Sequence, residues 1–183
     1  LDEGIGIYLE NVSNVSLSNL SMTGVFQNFG IRGLGVNNFT LRDSALTGTF
    51  GTSIGLQEDA IRFGTQSNAS NGLTGTALFE GNTIQGGVWD NLAIFNNAAG
   101  SLNLTIQDSA NDAAVFEDNG ITGNDGVLVE VSGVGASATI NVTGVAFGGA
   151  RGDHFQSNTL GSASSTVTLT NNTFLNNHPD ITS

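Results

Sequence analysis

Lysine is absent from this 183-residue chain, and Arg32, Arg42, Arg62 and Arg151 are its only cations apart from two histidines. Against 16 acids they leave a net charge of −12. Four scattered arginines cannot neutralise a run of phosphates, which excludes a nucleic-acid partner. An anionic membrane surface would repel the chain for the same reason. Cysteine is absent too, so the fold uses no disulfide and is indifferent to redox compartment. No apolar run reaches the length of a membrane span, which speaks against insertion. Proline occurs once, as Pro179, against 26 glycines. Charged residues make up only 11% of the chain, and Asn, Ser and Thr fill much of the rest. β-Branched residues, Asn and Gly are poor helix formers, so a helical fold is not expected. Disorder is not expected either, because the apolar residues recur in register.

What recurs is a five-residue figure: an acid, a small or polar residue, then apolar, any, apolar. It reads Asp125-Gly126-Val127-Leu128-Val129, Asp90-Asn91-Leu92-Ala93-Ile94, Asp59-Ala60-Ile61-Arg62-Phe63 and Glu3-Gly4-Ile5-Gly6-Ile7. Phe29-Gly30-Ile31-Arg32-Gly33 lacks the acid, and Asp153-His154-Phe155-Gln156-Ser157 lacks the second apolar residue. The copies begin at 3, 29, 59, 90, 125 and 153. A period near 30 with slack describes one structural unit repeated, with length differences absorbed in loops.

A second figure follows each first one: apolar, any, Asn/Asp/Gly, two residues, apolar, any, Gly or Asn. Examples run from Leu17 through Met22 to Gly24, from Leu41 through Leu46 to Gly48, and from Phe79 through Ile84 to Gly86. Later copies carry Val142 with Phe147 and Leu169 with Phe174. In the fourth repeat Ile106 and Phe116 compete for the same place. Both figures alternate apolar and polar residues over three to five positions, the period of a short half-buried strand. The Asn, Gly, Ser and Asp clusters between them are turn chemistry. Propeller blades need longer repeats, and a sandwich would not repeat one figure at a near-constant period.

These residues resemble right-handed parallel β-helix proteins, the fold shared by pectate lyases and many surface adhesins. Asn124-Asp125-Gly126-Val127-Leu128 and the stretch from Thr170 to Asn177 are similar to repeats of very large secreted bacterial β-helix proteins. The resemblance implies an all-β, right-handed parallel β-helix of about six coils over residues 1–183, in an extracellular or cell-surface setting. One inner wall would stack Ile5, Ile7, Ile31, Ile61, Phe63, Leu92, Ile94, Val127, Val129 and Phe155. A second would stack Leu17, Met22, Leu41, Leu46, Phe79, Ile84, Val142, Phe147, Leu169 and Phe174. The chain opens inside a repeat and carries no recognisable cap, which points to a piece of something longer or a unit that meets neighbours end to end.

The candidate functional residues lie on the first figure. Glu3, Asp59, Asp90, Asp125 and Asp153 occupy one repeat position. They are expected to cap strand entrances by accepting backbone amides. Alternatively Asp59, Asp90, Asp125 and Asp153 form a Ca²⁺ column, the one cofactor the sequence brings up. Arg32 and Arg62 share an outward position beside acids and are expected to pair with local carboxylates; alternatively, the arrangement resembles a Ca²⁺-dependent uronate lyase with arginine as base. Tyr8, Leu34 and Phe95 are assigned to a second outward position, with Trp89 near the strand entrance; Tyr8, Trp89 and Phe95 are candidates for stacking on a polysaccharide, and the alternative is that Leu34 and Phe95 lie under a loop from the longer insertions. His154 and His178 read as surface residues, and Arg151-Gly152-Asp153 as an accident of the repeat. The two-carboxylate figures of polygalacturonases are missing. Loops between figures are modest, which favours a structural or adhesive rod segment, partnered by neighbouring repeats or by itself. A polysaccharide lyase or a non-catalytic carbohydrate-binding module is the alternative.

Overall fold

The computed structural model describes residues 4–66, 71–97, 99–110, 114–117 and 123–175. The first repeat forms β1 (Ile7–Glu10), β2 (Ser13–Ser18), β3 (Ser21–Met22) and β4 (Val25–Phe26). The second forms β5 (Ile31–Leu34), β6 (Val36–Arg42), β7 (Ala45–Leu46) and β8 (Thr49–Phe50). The third gives β9 (Ile61–Phe63), β10 (Leu73–Glu80) and β11 (Thr83–Gln85), and the fourth β12 (Leu92–Asn96), β13 (Gly100–Gln107) and β14 (Val115–Glu117). The fifth gives β15 (Val127–Val131), β16 (Ala136–Thr143) and β17 (Ala146–Phe147). The sixth gives β18 (Phe155–Thr159), β19 (Ser164–Thr170) and β20 (Thr173–Phe174). Among the described residues the only helical element is a 3₁₀ turn, Ile54–Leu56, so none is long and apolar enough to cross a membrane.

Three six-stranded sheets result. The first runs β1-β5-β9-β12-β15-β18, the second β2-β6-β10-β13-β16-β19 and the third β3-β7-β11-β14-β17-β20. A two-stranded sheet pairs β4 with β8. Every pairing is parallel. The chain visits the three sheets in the same order six times, a topology that fits a parallel β-helix. The protein is therefore all-β, as its composition implies.

The cores of the sheets are columns of like residues. Ile31, Ile61, Leu92 and Val127 pair in sequence and are all fully buried, so the predicted Ile61-Leu92-Val127 stack is present. In the second sheet Leu41, Phe79, Ile106 and Val142 do the same. Phe116, Phe147 and Phe174 stack in the third, with ring centroids 5.7 and 5.1 Å apart. Phe39, Phe63 and Phe79 cluster between the first two sheets. Gly33 makes room for that cluster, since a Cβ there would stand 2.3 Å from the Phe63 ring.

The corner between the second and third sheets explains the Asn/Asp/Gly of the second figure. Asn19, Asp43, Gly81, Gly144 and Asn171 occupy it with φ of 54°, 48°, 65°, 75° and 55°. Only Gly, and among other residues chiefly Asn and Asp, tolerate this left-handed backbone. The next residue ties the repeats together. Asn82 Oδ1 accepts the Ser44 amide at 3.0 Å, and its Nδ2 donates to the Leu41 carbonyl at 2.9 Å. Asn172 repeats the arrangement with Val145 and Val142.

Three expectations change. Ile7, not Ile5, pairs with Ile31, which moves the first repeat by two residues and puts Ile5 at the acid position. Glu3 itself lies outside the described residues. In the fourth repeat Ile106 and Phe116 do not compete: Ile106 pairs with Phe79 in the second sheet and Phe116 with Ile84 in the third. In sequence the two are separated by ten positions, against five between Phe79 and Ile84. Leu169 and Phe174 do face inward but are 46% and 49% exposed, because they belong to the last described repeat.

If these columns hold the sheets together, Leu92→Ala should lower the unfolding free energy by about 2–5 kcal/mol. Asn103→Ala, on an exposed face of the second sheet, should change it by under about 0.5 kcal/mol. Urea denaturation measures both, and equal effects would refute the column as the core.

Candidate functional site

The outer face of the first sheet gathers most of the candidate residues. Its pairings align Tyr8, Arg32, Arg62, Ala93, Leu128 and Gln156 in one outward column. Arg32 and Arg62 are neighbours, as the period implies. Tyr8 falls beside Arg32 rather than with Leu34 and Phe95, a correction that follows from the two-residue shift of the first repeat. The next outward column aligns Phe95, Glu130 and Asn158.

Neither arginine is presented to solvent. Arg62 is 5% exposed and donates to Asp59 Oδ2 at 2.9 Å and to the Gln57 carbonyl at 2.9 Å. Its guanidinium lies 4.8 Å from the centre of the Phe95 ring. Phe95 is thereby buried, while Trp89 is half-buried and Tyr8 is 37% exposed. Arg32 donates to the carbonyls of Arg62 and Gly64 at 3.2 and 2.9 Å and sits over Phe29. The repulsion expected between two stacked guanidiniums is thus offset by one carboxylate and several carbonyls. Glu58 serves the adjoining loop, where its carboxylate accepts the amides of Thr52 and Ser53.

The acids at the strand entrances form a ladder. Asp59 Oδ1 accepts the Asp90 amide at 2.9 Å, Asp90 Oδ1 accepts the Asp125 amide at 2.8 Å, and Asp125 Oδ1 accepts the Asp153 amide at 2.9 Å. Each carboxyl therefore caps the backbone of the following repeat. Asp59 and Asp90 are fully buried, Asp125 nearly so, and Asp153 is exposed. Burial pushes Asp59 up to about 6, although Arg62 opposes the rise. Burial and the Asp59 charge push Asp90 up to about 8. Burial also raises Asp125 and Glu130.

This donor set does not fit Ca²⁺, which takes six to eight oxygens around one point. Among the described residues no three His, Cys, Asp or Glu side chains gather to hold a metal. His154 is half-buried, with Nε2 2.8 Å from the Leu175 carbonyl, and His178 lies outside the described residues. Arg151, Gly152 and Asp153 are all exposed.

Arg62, Trp89, Asp90 and Phe95, named from separate sequence arguments, meet at one recess of about 220 Å³. Leu128 completes its wall. Its rim is carboxamide: Gln57, Gln66, Asn124, Gln156 and Asn158. Sequence reasoning missed this rim. Gln156 and Asn158 could have been placed from the period, since both lie within the sixth repeat's strand β18. Gln57, Gln66 and Asn124 sit on loops of unequal length, which periodicity does not position. One polar atom is unmatched here: Asp90 Oδ2 is buried and has no hydrogen-bond partner among the described residues. The chain matches no protein-family model, no curated protein and no solved structure.

The ladder fixes the sign of a pH effect. Asp90 titrates near 8 in the folded protein and near 3.8 in the open chain. Its contribution to stability is full below 3.8 and falls as pH rises towards 8, because the folded form holds a proton that the unfolded form has lost. Asp59 acts in the same sense up to about 6. The melting temperature should therefore drop between pH 4 and 8. Asp90→Asn keeps the acceptor for the Asp125 amide and removes the titration. It should flatten the pH 6–8 segment, recovering up to about 3 kcal/mol at pH 8. A wild-type melting temperature that rises over this range would refute the assignment.

Proposed function

We propose that this chain is a segment of a right-handed parallel β-helical rod in an extracellular or cell-surface bacterial fibre. Its open strand edges pair end to end with parallel strands of the same kind of structure. The carrying observation is the contrast between the last described repeat and the one before it. Ile140, Val142 and Phe147 are fully buried, whereas their partners Val167, Leu169 and Phe174 are 39%, 46% and 49% exposed. These are inward-facing core residues whose next layer is missing among the described residues. Backbone groups on the same edge, β18, β19 and β20, pair on one side only, and β1, β2 and β3 form the opposite edge. An uncovered edge with an apolar interior takes another strand of the same direction. One end meeting the other is a heterologous contact, which generates a filament rather than a closed dimer.

The extracellular setting follows the resemblance to secreted bacterial β-helix proteins. The lyase alternative requires an arginine available as a base. Arg62 is committed to Asp59 and Gln57, and Arg32 to backbone carbonyls, which supports the structural reading over the catalytic one.

Sedimentation velocity should show reversible association into elongated species as concentration rises. Leu169→Asp combined with Phe174→Asp should weaken it by at least about tenfold, as expected for apolar anchors at the centre of an interface. Thr139→Asp, on the flank, should leave it unchanged. A strict monomer at high concentration, or equal loss with the flank variant, would contradict the reading.

A further inference from the structure

We infer that the recess over β9, β12, β15 and β18 binds a neutral sugar unit of a glycan, with the rim carboxamides reading its hydroxyls, Trp89 stacking on its ring and Asp90 Oδ2 meeting one of its oxygens. This site shares β18 with one edge of the first sheet but opens on the outer face, so sugar binding and end-to-end association are read out by separate measurements.

The chemistry of the recess selects the ligand class. A carboxamide donates and accepts at once, as a hydroxyl does, so five of them around one opening match a polyhydroxylated ring, each keeping further capacity after Gln156 Nε2 donates to Asn158 Oδ1 at 3.3 Å, Asn124 Nδ2 to Asp90 Oδ1 at 3.2 Å and Arg62 to Gln57 Oε1 at 3.3 Å. The half-buried indole supplies an apolar face with a polar edge. The volume of about 220 Å³ lies below that of drug-sized ligand sites, which limits the buried part to a single sugar unit. Asp90 contributes the second, independent observation. Its side chain is fully buried, lines the recess, and keeps one oxygen without a partner among the described residues. A buried polar atom in that state carries a desolvation cost that a ligand hydrogen bond removes. With its titration near 8, this carboxyl is largely protonated at neutral pH, so it can donate to a sugar oxygen.

Other ligand classes fit less well. A peptide adds to a sheet through an open edge, but the recess lies over the face of interior strands whose backbone is already paired on both sides at β9, β12 and β15. An anion such as a uronate would meet a chain of net charge −12 and an arginine already bonded to Asp59. A metal ion lacks a cluster of ligands among the described residues.

Trp89 is the only tryptophan of the chain, so its fluorescence reports on this site alone. Glucose, galactose, mannose and N-acetylglucosamine should be titrated up to ~0.1 M, beyond the millimolar range of weak binding, with galacturonate as the acidic comparison. At least one neutral sugar should give a saturable change in emission. Gln156→Leu and Asn158→Leu, on the outer face of β18, should each weaken that response about tenfold, the cost of a lost ligand hydrogen bond. Circular dichroism of both variants should match the parent. No saturable response to any neutral sugar, tighter binding of galacturonate, or a response that survives both substitutions would each overturn the proposal.

Discussion

Parallel pairing in register is the constraint on which this structure depends. Each residue lies beside its counterpart one repeat on, at a spacing of about 4.8 Å. Like therefore stacks on like, with opposite consequences inside and outside. Inside, it produces apolar columns such as Ile31-Ile61-Leu92-Val127, which need no adjustment. Outside and at the entrances, it brings charges of one sign together. A carboxylate pair 5 Å apart repels by roughly 3 kcal/mol at an effective dielectric near 20. The chain answers this by giving each carboxyl the next repeat's amide, and by raising the affinity of Asp90 for its proton. Arg32 and Arg62, stacked in the same way, are offset by Asp59 and by carbonyls.

The same constraint decides how much could be read in advance. Identical neighbours leave a period in the sequence, so the strands, the core columns and the Arg32-Arg62 and Asp59-Asp90-Asp125 stacks were legible. Two failures of register had local causes. In the first repeat Ile5 and Ile7 both satisfy the apolar pattern, and an acid at Glu3 favoured the wrong one. Pairing of β1 with β5 selects Ile7. In the fourth repeat the long corner after Asp108 separated two parts of one figure, which then looked like rivals. Burial by loops was legible only as an alternative for Leu34 and Phe95, without the residues that would do the covering. Phe95 reads as an outward aromatic in every frame, yet it lies under Arg62, which the 57–59 segment holds in place. Part of the recess rim was hidden for the same reason, since Gln57, Gln66 and Asn124 come from connections that share no period.

Ends and flank thus have separate chemistry. Among the described residues the last repeat exposes apolar core residues beside strands paired on one side, suited to more of the same structure. The flank of the first sheet has paired strands, a covered aromatic and an amide rim, suited to a small polar ligand. The acid ladder joins the two, because Asp90 both caps the fifth repeat and lines the recess.

A distance along the stacking direction tests the register of all six repeats at once. Ser16, Thr40, Leu78, Thr105, Asn141 and Thr168 form one outward column of the second sheet. The chain has no cysteine, so Ser16→Cys with Thr168→Cys accepts exactly two spin labels and no others. Pulsed dipolar spectroscopy should give a narrow distribution near five strand spacings, about 24 Å plus the reach of the labels. A broad distribution, or a mean far from that value, would contradict the in-register stack.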